Sequence, residues 1–276
     1  MELESQVEAL RRRGLSVAAL SYDSADVLKD FAERRAITFP LLSDPDSRVI
    51  RAFGLLNEVD YPVGNAAYGV PFPGTFVTDG RGVIRRKTFE RTYQERRTAA
   101  NLLAAEGATP GEAGAVLQNG QFTLKTSASN GEASTGQRIT LILDFEMGPK
   151  MHAYAPGVKG YRPLAFRLDP HPLITAHEVV LPESKPYRFE PLNETVPVFE
   201  GAFRVTQDAT LLAPPRPAPG APAAPPITEL HLTGTLDYQT CSDTLCHAPG
   251  TAALRWTIRL KPLDRERAPE ALRRRP

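Results

Sequence analysis

The chain has 276 residues, and its 33 Lys and Arg residues against 32 Asp and Glu residues leave a net charge of +1. This length predicts two domains, each long enough to bury a core. The balanced charge argues against a nucleic-acid-binding protein, and no run approaches the ~18 apolar residues of a membrane span. Two cysteines are too few to staple a fold of this size or, by themselves, to complete a structural zinc site.

The first part of the chain alternates between helical and strand patterns. Leu3, Val7 and Leu10 recur at helical spacing, and Asp23 or Ser24 can cap a second helix. The predicted elements are a helix at 3–13, a strand at 15–20, a helix after 24, a strand at 37–42, a helix at 46–53, a hairpin of 75–78 with 83–89, and a helix at 92–105. This order predicts an α/β domain over residues 1–107.

The start of this domain is unusual. The apolar run at 15–20 is typical of a strand buried on both faces, yet the chain opens on a helix. Because an α/β sheet normally begins with a strand, we expect one or two strands before Met1. Residues 1–13 contain no apolar stretch of the kind that a signal peptide needs.

The second part has the pattern of an all-β domain. A small-residue linker is predicted at 108–120, a β-sandwich at 121–263 and a tail at 264–276. Residues 212–226 hold seven prolines and predict an extended loop. The predicted strands are 122–127, 138–147, 151–154, 165–168, 176–181, 202–211, 229–238 and 252–260. We interpret the strand at 151–154 as structural and Trp256 as a core residue.

Both cysteines lie in one heptapeptide, Cys241 to His247, directly after a strand. Thiols at this spacing can form a disulfide if the chain turns between them. So short a loop gives a disulfide that stabilises the fold little, which suits a bond that is made and broken. Three alternatives stay open: two unrelated buried thiols, a variant haem-attachment motif that uses His247, and a zinc site completed by a remote ligand.

The segment around the cysteines resembles a known family. Tyr238-Gln239-Thr240-Cys241, followed by Cys246-His247-Ala248-Pro249, is similar to the N-terminal periplasmic domain of the thiol:disulfide interchange protein DsbD. The resemblance implies an immunoglobulin-like sandwich whose cysteine pair receives electrons and passes them to partner disulfides. It implies a periplasmic, extracytoplasmic location and a cap loop, whose nearest counterpart here is 193–199.

The first domain resembles the redoxins, namely the AhpC/TSA peroxiredoxins and thioredoxin-like proteins. The similar segments are 15–23, 39–45 and 69–76, the last reading Gly-Val-Pro-Phe-Pro-Gly-Thr-Phe. The resemblance implies a thioredoxin-like fold and a cis peptide bond at Pro73. The alternative is a trans proline that only begins a strand.

Redoxins attack their substrates with a cysteine before the first helix, and this chain has no cysteine before Cys241. We therefore expect the true protein to begin upstream of Met1, through a strand and a cysteine motif. The redoxin half is inactive without them, and an antioxidant peroxidase activity would belong to the full-length gene product.

Together the patterns predict a thiol–disulfide oxidoreductase. Cys241 and Cys246 carry the exchange, and Tyr238, Gln239, His247, Pro249 and Pro73 support it. No cofactor or metal is expected. The expected partners are redox proteins, either thioredoxin-like or a membrane thiol reductase, with the neighbouring redoxin as a partner within the chain. The competing hypothesis is a non-enzymatic binding module built on a degenerate redoxin.

Overall fold

A computed structural model describes residues 2–65, 67–90, 95–105, 107, 113–189, 193–215, 225–264 and 266–272. The chain divides into two compact units, residues 1–99 with 263–276, and residues 100–262. The domain boundaries at 107 and 121 stay a prediction.

Three helices of the first unit lie where the sequence predicts them, with ends within two residues of the predicted ones. They are α1 (Glu2–Arg11), α2 (Ala25–Arg35) and α3 (Arg48–Ala52). Ser24 is the N-cap of α2, since its side chain accepts a hydrogen bond from the backbone N–H of Val27. Helix α1 buries Val7 and Leu10, the face that its spacing predicts.

The strands of the first unit pair two by two. β1 (Ala19–Ser21) runs parallel to β2 (Leu41–Ser43), and β3 (Gly74–Thr78) runs antiparallel to β4 (Ile84–Phe89). The hairpin prediction is therefore confirmed, and a short strand β5 (Arg96–Arg97) follows. The prediction of a strand buried on both faces at 15–20 is wrong: β1 begins only at Ala19, and Leu20 is 40% exposed because β1 pairs along one edge only within the described part of the chain.

Pro73 is a trans proline, which corrects the expectation of a cis bond; the part of the chain that the structure describes contains no cis peptide bond. The backbone around it is held in an extended course. The N–H of Phe72 donates to the carbonyl of Leu55 at 2.8 Å, and the carbonyl of Pro73 accepts from Glu90 at 3.0 Å. Pro73 thus leads directly into β3, as the alternative interpretation had it.

The predicted tail contacts the first unit. Arg35 of α2 forms ion pairs with Asp264 at 2.8 Å and with Glu266 at 2.5 Å. A 3₁₀ turn (Glu270–Leu272) closes the described part of the chain.

The second unit is built almost entirely of strands. One short helix, α4 (Ala99–Ala105), stands at its start. The strands are β6 (Ala113–Gln118), β7 (Phe122–Ala128), β8 (Glu132–Ala133), β9 (Gln137–Met147), β10 (His152–Tyr154), β11 (Ala165–Leu168), β12 (Ile174–Val180), β13 (Lys185–Phe189), β14 (Glu194–Glu200), β15 (Ala202–Leu211), β16 (Glu229–Tyr238), β17 (Thr240–Cys241) and β18 (Gly250–Leu260).

Two of its sheets share one apolar core. The first follows the order β12-β15-β9-β7-β6, and the second follows β11-β16-β18-β8. Alternation along β16 explains the packing, because Leu230, Leu232 and Leu236 are buried whereas His231 and Thr233 are exposed. Trp256 is a core residue, as predicted, and its indole N–H donates to the carbonyl of Ser127 at 3.0 Å.

Two predicted loops differ from the structure or lie partly outside it. Residues 113–118, assigned to the linker by their small side chains, form β6, which pairs antiparallel with β7. The backbone hydrogen bonds of a partner strand outweigh the low strand propensity of alanine and glycine there. The Pro/Ala loop at 212–226 has its central residues, 216–224, outside the described residues.

The remaining sheet carries the cysteines. Its order is β13-β14-β10-β17, with β10 antiparallel to both neighbours. Of these four strands the sequence predicts β10, as the strand at 151–154, and does not predict β13, β14 or β17. The expected cap loop at 193–199 is mostly strand β14, because it pairs on both sides within this sheet.

Candidate redox site

The two cysteines are joined by a disulfide at the end of β17. Cys241 is the last residue of that strand, and Cys246 lies opposite it in an isolated antiparallel bridge, with 4.0 Å between their Cα atoms. A tight turn makes this approach possible. The N–H of Ser242 donates to the carbonyl of Leu245 at 2.8 Å, and the hydroxyl of Ser242 accepts from the N–H of Leu245 at 3.1 Å.

The disulfide is strongly asymmetric in its exposure. Cys241 is 1% exposed, whereas Cys246 is an exposed residue. Exchange at a disulfide requires a thiolate to reach one of the two sulfur atoms. Cys246 is therefore the cysteine of the pair that lies at the surface, where a partner can approach.

Tyr154 is the polar group that contacts the disulfide directly. Its hydroxyl donates to Cys241 Sγ at 3.0 Å and lies 3.6 Å from Cys246 Sγ. The side chain is buried and stacked on Tyr161, with ring centroids 4.2 Å apart. Burial raises the pKa of Tyr154 well above its usual value, so the hydroxyl keeps its proton and acts as a hydrogen-bond donor to sulfur.

His152 lies beside the same disulfide. In the strand pairing it stands directly opposite Cys241 on β17 and Glu200 on β14. It is 2% exposed, and its Nδ1 has no hydrogen-bond partner among the described residues. Burial lowers the pKa of His152, while the charges of Glu200 and Asp243 act in the opposite direction.

A small cavity connects these groups. Its volume is about 10 Å³, close to that of a single water site. The hydroxyl of Tyr187 donates to Asp243 at 2.9 Å at the edge of the turn. The lining residues are His152, Tyr154, Tyr187, Phe189, Glu194, Val196, Cys241, Ser242 and Cys246.

Two family models match the chain. Residues 1–87 match the AhpC/TSA family, and residues 120–256, which contain both cysteines, match the family described as thiol:disulfide interchange protein DsbD, N-terminal. The chain thus joins a segment that matches the AhpC/TSA model to a segment that matches the DsbD N-terminal model. Thiol–disulfide redox activity in general is common to these two families.

The curated relatives are peroxiredoxins that align with a short stretch of the chain. Rv2521 of Mycobacterium tuberculosis, named as a peroxiredoxin, is 41% identical over 71 residues, which is 26% of this chain and 44% of that protein. Peroxiredoxin Bcp of Escherichia coli K12 is 34% identical over 59 residues, 21% of this chain and 38% of that protein. The chain thus spans less than half of the length of either relative.

A comparison of folds finds the N-terminal periplasmic domain of ScsB from Proteus mirabilis. The TM-score is 0.38 and the sequence identity 12%, with 52% of this chain and 51% of that chain covered.

Two of the predicted supporting residues contact the loop that carries the cysteines rather than the sulfur atoms. The amide of Gln239 accepts from the N–H of Arg162 at 2.8 Å and donates to the carbonyl of His247 at 3.2 Å. The hydroxyl of Tyr238 accepts from Asn119 at 3.3 Å, and its ring packs edge-on against Phe122. Gln239 therefore connects the cysteine turn to the loop at Arg162, and Tyr238 packs the end of β16 against β7.

The other predicted supporting residues, His247, Pro249 and Pro73, do not line the cavity beside the disulfide. The backbone N–H of His247 donates to the carbonyl of Thr240 at 2.9 Å, which closes the turn, but its imidazole does not line the cavity. Pro249 is exposed just before β18. Pro73 belongs to the other compact unit.

Within the described ranges, no group of three His, Cys, Asp or Glu side chains is arranged to hold a metal ion. In the same ranges, no helix has the length and apolar character needed to cross a bilayer.

Sequence reasoning missed the residues that surround the disulfide. Tyr154 and His152 were interpreted as structural, and Tyr161 and Tyr187 were not singled out. The available signal was the alternation in β10, which places His152 and Tyr154 on one face. Only the pairing of β10 with β17 brings that face to the cysteines.

Proposed function

We propose that the chain is a thiol–disulfide oxidoreductase that exchanges electrons with partner protein disulfides through Cys241 and Cys246. The observation that carries the proposal is the asymmetric disulfide, with Cys246 exposed and Cys241 buried against the Tyr154 hydroxyl. A disulfide that serves only stability has no need of one accessible sulfur and a hydrogen-bond donor aimed at the other.

The exchange begins at the exposed cysteine. A donor thiolate attacks Cys246 Sγ, the Cys241–Cys246 bond breaks, and Cys241 leaves with the bonding electron pair as a thiolate. Tyr154 stabilises this leaving thiolate, because hydrogen bonds to charged acceptors are about twice as strong as neutral ones. The second thiolate of the donor then attacks the donor sulfur of this mixed disulfide. A disulfide forms within the donor, and Cys246 leaves as a thiolate.

The reduced pair passes the two electrons on by the reverse route. Cys246 attacks an acceptor disulfide and forms a mixed disulfide, which Cys241 resolves by attacking Cys246 Sγ. The acceptor departs with two reduced sulfur atoms, and the Cys241–Cys246 bond is restored. The cysteines hold the electron pair themselves, so no cofactor enters the cycle.

The proposal includes the domain boundaries, the compartment and the partners. We place the domain boundaries at 1–107 and 121–263, and assign the second domain to the immunoglobulin-like sandwiches. An extracytoplasmic compartment suits it, because reversible disulfides persist in oxidising surroundings, and the family description names an interchange protein. The proposed partners are a thioredoxin-like protein or a membrane thiol reductase, together with the redoxin segment of the same chain.

Single cysteine variants test the proposal. Cys241→Ser leaves the exposed thiol, and Cys246→Ser leaves the buried one. We expect Cys241→Ser to react with 5,5′-dithiobis(2-nitrobenzoic acid) at least tenfold faster, and to trap a stable mixed disulfide with oxidised glutathione. Thr257→Ala, which keeps both cysteines and changes an exposed residue of β18, is the control and should retain a disulfide that dithiothreitol reverses.

Two results would reject the proposal. One is a wild-type protein in which dithiothreitol and an oxidant do not interconvert the disulfide and the dithiol. The other is equal trapping by both cysteine variants, which would remove the division of roles between the two sulfur atoms.

A second candidate function is a thiol peroxidase activity, favoured by the AhpC/TSA match and the peroxiredoxin relatives. Residues 1–240 contain no cysteine, so this activity requires a cysteine from outside residues 1–240. We expect the chain, supplied with dithiothreitol, to consume hydrogen peroxide no faster than Cys246→Ser does. Faster consumption by the wild type would assign peroxidase activity to Cys246.

A further inference from the structure

The proposed exchange uses Cys241, Cys246 and Tyr154, and the buried imidazole of His152 lies beside them without a part in it. It stands directly opposite Cys241 in the strand pairing, and directly paired residues of antiparallel strands project their side chains to the same face. His152 and both cysteines also line one cavity. An unpartnered polar atom in such a place costs free energy, so its presence calls for a physical reason.

We propose that His152 is the proton acceptor for the buried sulfur: when the disulfide opens, its imidazole becomes protonated and pairs with the Cys241 thiolate. This inference rests on the proposed exchange function and specifies how that site holds its charge. It makes His152 the residue that couples the redox state of the disulfide to proton uptake.

The charge balance around Cys241 supports this role. A thiolate at a residue that is 1% exposed has little water to stabilise it. Tyr154 donates one hydrogen bond but retains its proton, so it supplies no positive charge. His152 is the only basic residue that lines the cavity in the described part of the chain.

The other charged groups near His152 are acidic or turned to solvent. Glu200 lies across the strand pairing, and Asp243 accepts from the Tyr187 hydroxyl in the cysteine turn. Glu194 accepts from the Tyr161 hydroxyl at 2.6 Å. Lys150 is 78% exposed and pairs with Asp243 at 3.5 Å, away from the cavity lining. The acids favour a protonated imidazole, and among the described residues that line the cavity no Lys or Arg competes for the thiolate.

The step balances without any further reactant. In the oxidised protein the imidazole is neutral. The attacking partner thiol releases one proton as it becomes a thiolate, and the imidazole takes up one proton from solvent. The products are a mixed disulfide at Cys246, a thiolate at Cys241 and an imidazolium at His152. A nearby negative charge raises the pKa of an imidazole, so the proton stays while the thiolate persists.

The experiment measures the pKa of His152 by NMR in both redox states of the whole chain. We expect reduction with dithiothreitol to raise it by at least one unit. We also expect His152→Phe to raise the pKa of the Cys241 thiol in the reduced protein by at least one unit. The titration follows the thiolate by its absorbance at 240 nm. His231→Gln is the matched control, since His231 is an exposed histidine on β16, and it should leave that titration unchanged.

Equal His152 pKa values in the oxidised and reduced protein would overturn the inference, and this comparison needs only the wild type. A thiolate titration that responds to His247→Gln but not to His152→Phe would do the same. Failure of the proposed exchange function is recognised separately, as a disulfide that dithiothreitol cannot reverse. A purely structural His152 would alter stability in both redox states without moving either titration.

Discussion

Removing the Tyr154 hydroxyl isolates its contribution to the exchange. Tyr154→Phe keeps the buried ring and its stacking on Tyr161 but deletes the donor that lies 3.0 Å from Cys241 Sγ. A hydrogen bond to a charged group contributes about 1.5–3 kcal/mol, against about 0.5–1.5 kcal/mol for a neutral one. Cys241 acquires negative charge in the transition state. The Tyr154→Phe variant should therefore lose about 1–2 kcal/mol more stabilisation in the transition state than in the intact disulfide.

This difference predicts that dithiothreitol reduces the Tyr154→Phe disulfide about 5–30-fold more slowly, since each 1.36 kcal/mol is a tenfold change in rate. The assay is stopped-flow reduction at fixed pH, with folding checked by circular dichroism. Tyr68→Phe is the control: it removes a tyrosine hydroxyl from the other compact unit, so its rate should match the wild type. A Tyr154→Phe rate within twofold of the wild type would refute the assignment of this hydroxyl to the leaving thiolate.

Three predictions concern stability. Asp237→Asn weakens the contact with Arg167, whose guanidinium lies 2.6 Å from the buried carboxylate. It should lower the free energy of unfolding, measured by urea titration, by about 1–2 kcal/mol and leave the rate of disulfide reduction unchanged. Gly250→Ala places a Cβ 2.6 Å from the Tyr238 ring and should cost about 1–3 kcal/mol; an unchanged urea midpoint would show that the ring moves freely. Burial lowers the pKa of His152 below the ~6.5 of an unfolded chain, so below that pH the unfolded state binds more protons and the oxidised protein loses stability on acidification. His152→Phe should flatten this fall between pH 7 and 5, and urea titrations that show the same fall in both proteins would contradict it.

Local patterns in the sequence were sufficient for much of the sandwich. The predicted strands at 165–168, 202–211 and 229–238 have the observed bounds, because regular alternation fixes both the strand and its buried face. β6 and β14 were missed. Their small or proline-containing segments carry little alternation, and the hydrogen bonds that make them strands come from pairing with β7 and with β13 and β10.

In the first unit, capping and turn residues predicted the helices and the hairpin, and spacing predicted the buried face of α1, whereas the burial of β1 was not predictable. The run at 15–20 has the composition of a central strand, yet β1 pairs only with β2 in the described part of the chain and leaves Leu20 exposed. Pro73 shows the same limit, since local sequence permits either isomer and the neighbouring hydrogen bonds of Phe72 and Glu90 accompany the trans form.

The sequence by itself determined that the chemistry of this protein is that of two thiols. The only two cysteines follow a strand with four residues between them, and that spacing is a covalent property of the chain. Tertiary structure decided which sulfur is exposed and which groups surround the other. Tyr154 and His152 lie nearly ninety positions before Cys241, and they reach it only because β10 pairs with β17. Such pairing depends on long-range hydrogen bonds and burial, which no local pattern of residues records.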